Sequence, residues 1–284
     1  MGNLIKRILF AVIAIPLTLL AVLKGGNLFR GVLAILLLGG GVEFYRMTKA
    51  KGMPVYLPLT LFGILLFCFR STYALERTEE PLLFPALFVI MFVLLVVEVL
   101  RADPEKALFR AGATLLSIFY IGFLGSYLMI IADPATLTAL SAPLNVKARV
   151  NGSLLITLLF AVWGSDTFAF LFGKQIGGPL LLPRVSPKKT VAGLFGSVVG
   201  GMAGMLCGRT LFEPHFPSVK AVLIIGLLIG VLGQVGDLFE SLIKRSCGVK
   251  DSSGVFPGHG GILDRLDALI FCAPIFYYAL MFVR

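Results

Sequence analysis

The chain reads as an all-α, polytopic integral membrane protein with about nine transmembrane helices. Its composition is the first reason. Hydrophobic residues make up 58% of the 284 and charged residues only 14%, against roughly 45–50% and about 25% in an ordinary soluble domain. Mean hydropathy is +0.96. The second reason is the recurrence of apolar runs near the ~20 residues needed to cross a bilayer, joined by short polar connectors.

The nine runs centre near Ala14, Leu36, Leu61, Phe92, Gly122, Leu159, Gly200, Leu228 and Pro274. Lys6 and Arg7 before the first run have the look of a signal peptide, but no small-residue cleavage site follows before Lys24, so the run is expected to stay as an anchor. Glu43 and Glu98 fall near the ends of apolar stretches and are expected to reach the interface. Pro134 to Asn151 forms a polar connector. In the seventh run Gly196, Gly200, Gly204 and Gly208 recur at every fourth position, and Gly226 and Gly230 repeat the device in the eighth. Such stripes let neighbouring helices approach closely in lipid.

Basic residues group by side. Lys6 and Arg7, then Arg46, Lys49 and Lys51, then Arg101, Lys106 and Arg110, then Lys174, Arg184, Lys188 and Lys189, and finally Lys244, Arg245, Lys250 and Arg265 all fall on one face of a nine-span topology. Together they are most of the 25 Lys and Arg. The positive-inside rule makes that face cytoplasmic and points to a multi-pass protein of the plasma membrane. The net charge of +10 suits loops beside anionic headgroups. The charge is dispersed and carries no nucleic-acid reader motif, so no nucleic-acid partner is expected. Cys68, Cys207, Cys247 and Cys272 show no Cys-x-x-Cys pairing, which argues for packing rather than a disulfide framework or zinc. The chain reads as one membrane domain over 1–284, with 1–151 mostly scaffold and the chemistry in 152–284. Assembly into a homo-oligomer is left open.

The chemistry concentrates in four polar places. Lys250 to Asp267 reads KDSSGVFPGHGGILDRLD, where Gly258, Gly260 and Gly261 bend the backbone around His259 and can turn N–H groups toward an anion. Asp166 lies within the sixth span, in WGSDTFAFLFGK. The eighth span ends GQVGDLFESLIKR, with Asp237, Glu240, Lys244 and Arg245. A carboxylate at the centre of a span costs about 2.5–3.5 kcal/mol on insertion scales, so Asp166 and Asp237 call for a cation, a basic partner or water. Asp237, Ser241 and Lys244 share one helix face, as do Asp264 and Asp267. Asp237 and Asp264 can thus meet at one metal site, while the two acids early in the last span also fit a helix-dipole role. The segment LLPRVSPKKT adds Arg184, Ser186, Lys188, Lys189 and Thr190 as a phosphate clamp in a loop.

Together these segments resemble the phosphatidate cytidylyltransferase (CDP-diacylglycerol synthase) family. The matching stretches are Trp163 to Lys174, Leu182 to Gly193 and Gly233 to Asp267, the last carrying Lys244–Arg245, Lys250–Asp251, Pro257 to Gly261 and Leu263 to Asp267. Val191, Ala192, Ser253 and Ala268 depart from the family's usual residues.

The resemblance implies conversion of CTP and phosphatidate to CDP-diacylglycerol and pyrophosphate at the cytoplasmic face. It implies Mg2+ held by Asp237 and Asp264, with Asp166 and Asp267 beside them and acids to spare for a second cation. Asp237, Asp264, Lys244, Asp251, His259 and Arg265 are then the catalytic set, with His259 orienting rather than acting as base. Ser186, Lys188, Lys189, Thr190, Arg245, Lys250, Gly258 and Gly260 bind substrate. A transporter using intramembrane acids, and a CTP-dependent lipid kinase or other polyprenyl-lipid nucleotidyl enzyme, are the rival readings.

Overall fold

In a computed structural model the description covers residues 2–70, 83–140, 152–212, 217–256 and 260–282, with side chains from residue 12 onward, 137 excepted. The elements in order are α1 (Gly2–Lys24), α2 (Gly26–Ala50), α3 (Leu57–Arg70), α4 (Leu83–Arg101), α5 (Pro104–Ser117), a π-helix (Ile118–Leu124), α6 (Gly125–Ala132), α7 (Pro134–Leu140), α8 (Ser153–Gln175), β1 (Leu180–Leu182), β2 (Ser186–Thr190), α9 (Val191–Phe212), α10 (Val219–Ser246) and α11 (Leu263–Phe282). All nine apolar runs are helices. Seven of them, counting Pro104–Ala132 as one, are long and apolar enough to cross a membrane; Val12–Lys24 and Leu57–Arg70 are shorter. At 1.5 Å per residue, α3 rises roughly 21 Å, less than a hydrocarbon core. The protein is a multi-pass membrane protein. The stretch 134–151 begins as the short α7, and 141–151 lies outside the described residues.

Local chemistry sets the helix starts. Ser218 accepts a hydrogen bond from the Ala221 amide at 3.3 Å and caps α10, the usual use of a serine at that position. Pro104 opens α5, where its missing N–H costs nothing. The π-helix sits midway along the continuous helical run Pro104–Ala132, and insertions of this kind recur at functional sites.

The part of the chain after Gly152 is a slab of closely apposed helices in which α9 lies between α8 and α10, and α11 packs on α10. The glycine stripe makes this approach. A Cβ on Gly200 would overlap the Gly164 carbonyl oxygen of α8, and one on Gly201, on the opposite face, would sit 2.5 Å from the Gly226 carbonyl oxygen of α10. Ser197 bridges the three helices: its hydroxyl lies 2.7 Å from that of Ser165 and donates to the Gly230 carbonyl. Cys68, Cys247 and Cys272 are buried among apolar side chains.

Two expectations about acids are corrected. Glu43 is buried, only 2% exposed, rather than reaching an interface. Glu98 is held by Arg110 at 2.7 Å, and Arg110 also takes Asp103 at 2.9 Å. Both acids found donors inside the protein, which removes the need to seek water. The basic connectors do share one end of the bundle. Lys51, after α2, donates to the Ser246 carbonyl at the end of α10 at 2.7 Å, and Arg101 stacks over Tyr56 with 4.9 Å to the ring centroid.

Candidate active site

The segment expected as a loop, LLPRVSPKKT, folds into an antiparallel hairpin, with Leu180 opposite Thr190 and Leu182 opposite Ser186. Hairpin pairing satisfies backbone groups that a loose loop at a membrane surface would leave to water. The hairpin aims Lys189 inward, and its Nζ donates to Asp237 Oδ2 at 2.8 Å. Lys188, next along the strand, points the other way and is exposed. Thr190 is buried, and its hydroxyl accepts the Gly193 amide at 3.1 Å as the N-cap of α9. Ser186 is half-buried and Arg184 exposed.

Asp237 does not stand alone. Asp166, on α8 and still exposed, lies within electrostatic reach of Asp237, Lys189 and Arg265. Asp267, on α11, feels Asp237, Glu240 and Asp166. Three helices and the hairpin therefore bring three acids and two bases together at one end of the bundle. Cys272 and the Tyr120 hydroxyl face the same field. Tyr120 projects from the π-helix, and its buried hydroxyl has no hydrogen-bond partner among the described residues. Nothing in the sequence around Tyr120 marks it, because a π-turn leaves no clear residue signature.

Asp264 occupies an adjoining patch. Its Oδ1 accepts Lys244 Nζ at 2.5 Å, and Lys244 also pairs with Glu240 one turn back on α10. Its Oδ2 accepts the Ser252 hydroxyl at 2.7 Å, the Ser252 amide at 3.0 Å and the Gly261 amide at 2.7 Å. Gly260 takes φ +80°, a left-handed value that suits glycine. Its carbonyl accepts the Phe256 amide at 2.9 Å. His259 and Gly258 lie outside the described residues. Lys250, Asp251, Arg245 and Arg265 are exposed; Arg245 donates to the Val249 carbonyl at 3.2 Å.

Asp264 lies in the first turn of α11, as its expected dipole role requires, and a second acid joins it there from elsewhere in the chain. Glu43, on α2, accepts the amides of Ile262 and Leu263 at 2.8 and 2.9 Å. It also accepts the hydroxyls of Ser252 and Ser253 at 3.0 and 2.5 Å. Sequence reasoning placed Glu43 at an interface because its partners lie more than 200 positions away.

Among the described residues, no group of three or more His, Cys, Asp or Glu is placed to hold a metal ion together. Magnesium does not ask for one: one or two carboxylates suffice, with water and substrate phosphate completing the octahedron. A carboxylate such as that of Asp237 is the kind of oxygen donor such a hard cation takes.

Residues 5–283 match the model of the cytidylyltransferase family. The chain belongs to this family. Among its relatives, the phosphatidate cytidylyltransferase of Synechocystis sp. is 34% identical over 96% of this chain and 95% of its own length. That of Brucella abortus is 32% identical over 98% and 93%, and that of Bacillus subtilis 29% over 99% and 98%. Membership in the cytidylyltransferase family makes the chain a nucleotidyltransferase.

Proposed function

We propose that this enzyme converts CTP and phosphatidate to CDP-diacylglycerol and pyrophosphate at the cytoplasmic face of the plasma membrane. The observation that carries the reading is the Lys189–Asp237 pair with Asp166, Asp267 and Arg265 around it, on a chain similar over nearly its whole length to proteins named for that reaction. A phosphate oxygen of phosphatidate forms the new bond to the α-phosphorus of CTP. The bond from that phosphorus to the bridging oxygen breaks, and pyrophosphate leaves with the electron pair. The attacking phosphate is already ionised near neutral pH, so no strong base is required, in keeping with an orienting role for His259.

The obstacle is the meeting of two anions. Lys189, Lys244 and Arg265 would offset charge on the nucleotide, with Lys188, Arg245 and Lys250 at the exposed rim. Asp237, with Asp166 and Asp267 beside it, would hold Mg2+, and Asp264 would join when Lys244 turns to phosphate. Magnesium, when bound, supplies positive charge against the phosphates as the α-phosphorus is attacked. Ser186 and the amides around Gly258 and Gly260 would orient the polyphosphate. The hydroxyl of Thr190, already accepting the Gly193 amide, keeps its proton to donate.

Incubation with CTP, Mg2+ and phosphatidate, followed by identification of the phosphate released, tests the reading. Pyrophosphate in step with CDP-diacylglycerol is expected. Release of CDP would indicate a CTP-dependent lipid kinase instead, and lipid or ion flux without nucleotide cleavage a transporter.

A further inference from the structure

Glu43 has a place in the structure that none of the chemistry above uses. It follows the run Gly39–Gly40–Gly41 on α2, is only 2% exposed, and meets four donors from a segment more than 200 residues later. Oε1 takes the Ser253 hydroxyl and the Ile262 amide; Oε2 takes the Ser252 hydroxyl and the Leu263 amide. Oε1 therefore accepts twice, while Oε2 accepts the Leu263 amide and shares the single Ser252 hydroxyl hydrogen with Asp264. Every donor is neutral, so the charge is stabilised by oriented dipoles, including the free amides at the start of α11.

Side chains were removed to permit this approach. A Cβ on Gly39 would lie 2.5 Å from Ile262 Cδ1 and one on Gly40 2.9 Å from Leu263 Cδ2. A Cβ on Gly261 would overlap the Ser252 hydroxyl and the Glu43 carboxylate.

Ser252 links this clamp to the reaction site. Its hydroxyl lies 3.0 Å from Glu43 Oε2 and 2.7 Å from Asp264 Oδ2. It has one hydrogen to give, so the two carboxylates compete for it. The amides of Ile262 and Leu263 immediately precede Asp264, and Asp267 follows one helical turn on.

We propose that Glu43 is a positioning residue for the cytidylyl transfer: it ties Ser252 and Ser253 to Ile262 and Leu263 so that Asp264 and Asp267 are held at the ion- and nucleotide-binding end of α11. The proposal rests on the reading that these acids serve a divalent cation.

The test is binding of Mn2+, as a reporter for Mg2+, to the full-length protein in detergent without substrate, followed by electron paramagnetic resonance and paired with kcat and KM for CTP. Glu43→Gln keeps the shape but leaves one good acceptor where there were two. Roughly tenfold or more weaker Mn2+ binding and a lower kcat are expected, as for residues that orient metal ligands. Amide hydrogen exchange at Ile262 and Leu263 should quicken. Arg110→Ala serves as the comparison for a purely structural loss: it should lower the unfolding temperature and leave Mn2+ affinity per folded molecule unchanged. Wild-type Mn2+ affinity and kcat in Glu43→Gln overturn the proposal, as does an Arg110→Ala variant that loses affinity equally.

If Glu43→Gln does not fold, Ser253→Ala carries the test. It removes one donor to Glu43 and touches no bond to Asp264. A smaller shift in the same direction supports the clamp, and no shift overturns it. Asp237→Asn separates the two levels. If it binds Mn2+ as the wild type does, the cation reading fails and the clamp with it. If it loses Mn2+ while Glu43→Gln keeps it, the clamp alone fails.

Discussion

Lys189 Nζ lies 2.8 Å from Asp237 Oδ2, tying the only hairpin among the described residues to the third-last turn region of α10. Both side chains are about one-fifth exposed, at 21% and 22%. The pair is thus reachable by a solute yet sheltered enough for charge to matter. A lysine in this position holds the carboxylate ready and can be drawn to phosphate once a nucleotide arrives.

Removal of that lysine should be felt more than removal of its neighbour. Lys189→Ala should lower kcat/KM for CTP by about tenfold or more, the cost of about 1.4 kcal/mol of lost transition-state stabilisation. Lys188→Ala, at an exposed position with its side chain turned outward, should mainly raise KM for CTP. Steady-state kinetics over a CTP series measures both. Equal effects from the two variants would remove the special role of Lys189.

Asp237→Asn should reduce turnover by about a hundredfold or more, as expected where a charge aimed at the reaction is lost. The variant should still insert in the membrane, because the amide remains able to accept a hydrogen bond from Lys189. Chelation of divalent cations from the wild-type enzyme should stop pyrophosphate release, and added Mg2+ should restore it. Product analysis on purified protein measures both arms.

The contacts of α9 with α8 make Gly200 intolerant of a side chain. Gly200→Leu would drive its Cβ against the Gly164 carbonyl and should cost about 2–3 kcal/mol through forced separation of α8 and α9. Gly112→Ala, with open space around the position, should be neutral or slightly stabilising in its helix. Thermal unfolding in detergent reads both, and a tolerated Gly200→Leu would deny the close packing.

Arg110 is 4% exposed and holds Glu98 and Asp103 together. Arg110→Ala leaves Glu98 without its cation and should cost about 3–5 kcal/mol. Its hydrogen bond also holds the Asp103 carboxyl below the usual carboxylate range. A lowered value means the folded protein binds fewer protons there than the unfolded chain. This contribution is therefore complete above the ordinary aspartate pKa and is lost as pH falls through the lowered one. An acid titration of unfolding temperature should show that loss in the wild type and not in Arg110→Ala.

Much of the architecture was legible because lipid imposes a simple rule. A span must be apolar and long, so Ala14, Leu36, Leu159 and Leu228 announce their helices without help from any partner. The glycine stripe of α9 was equally plain, since a repeat of four places Gly196, Gly200, Gly204 and Gly208 on one face. Two adjoining features were not. The SPKKT segment pairs as a strand because Leu180 to Leu182 lies opposite it, and residue types alone do not announce so short a pairing. Asp237 pairs with Lys189 and Asp264 with Lys244, and the expectation that the two acids share one ion named neither partner.

From the amino-acid order alone came the membrane setting, the spans and the set of acids and bases available for chemistry. Helical periodicity dictates which residues share a face. It does not say which neighbour that face will meet, because rotation and depth of each helix are decided by packing over the whole bundle. Only the tertiary structure could therefore seat Glu43 beneath the start of α11, give Lys189 to Asp237, and leave Asp264 to Lys244 and Ser252.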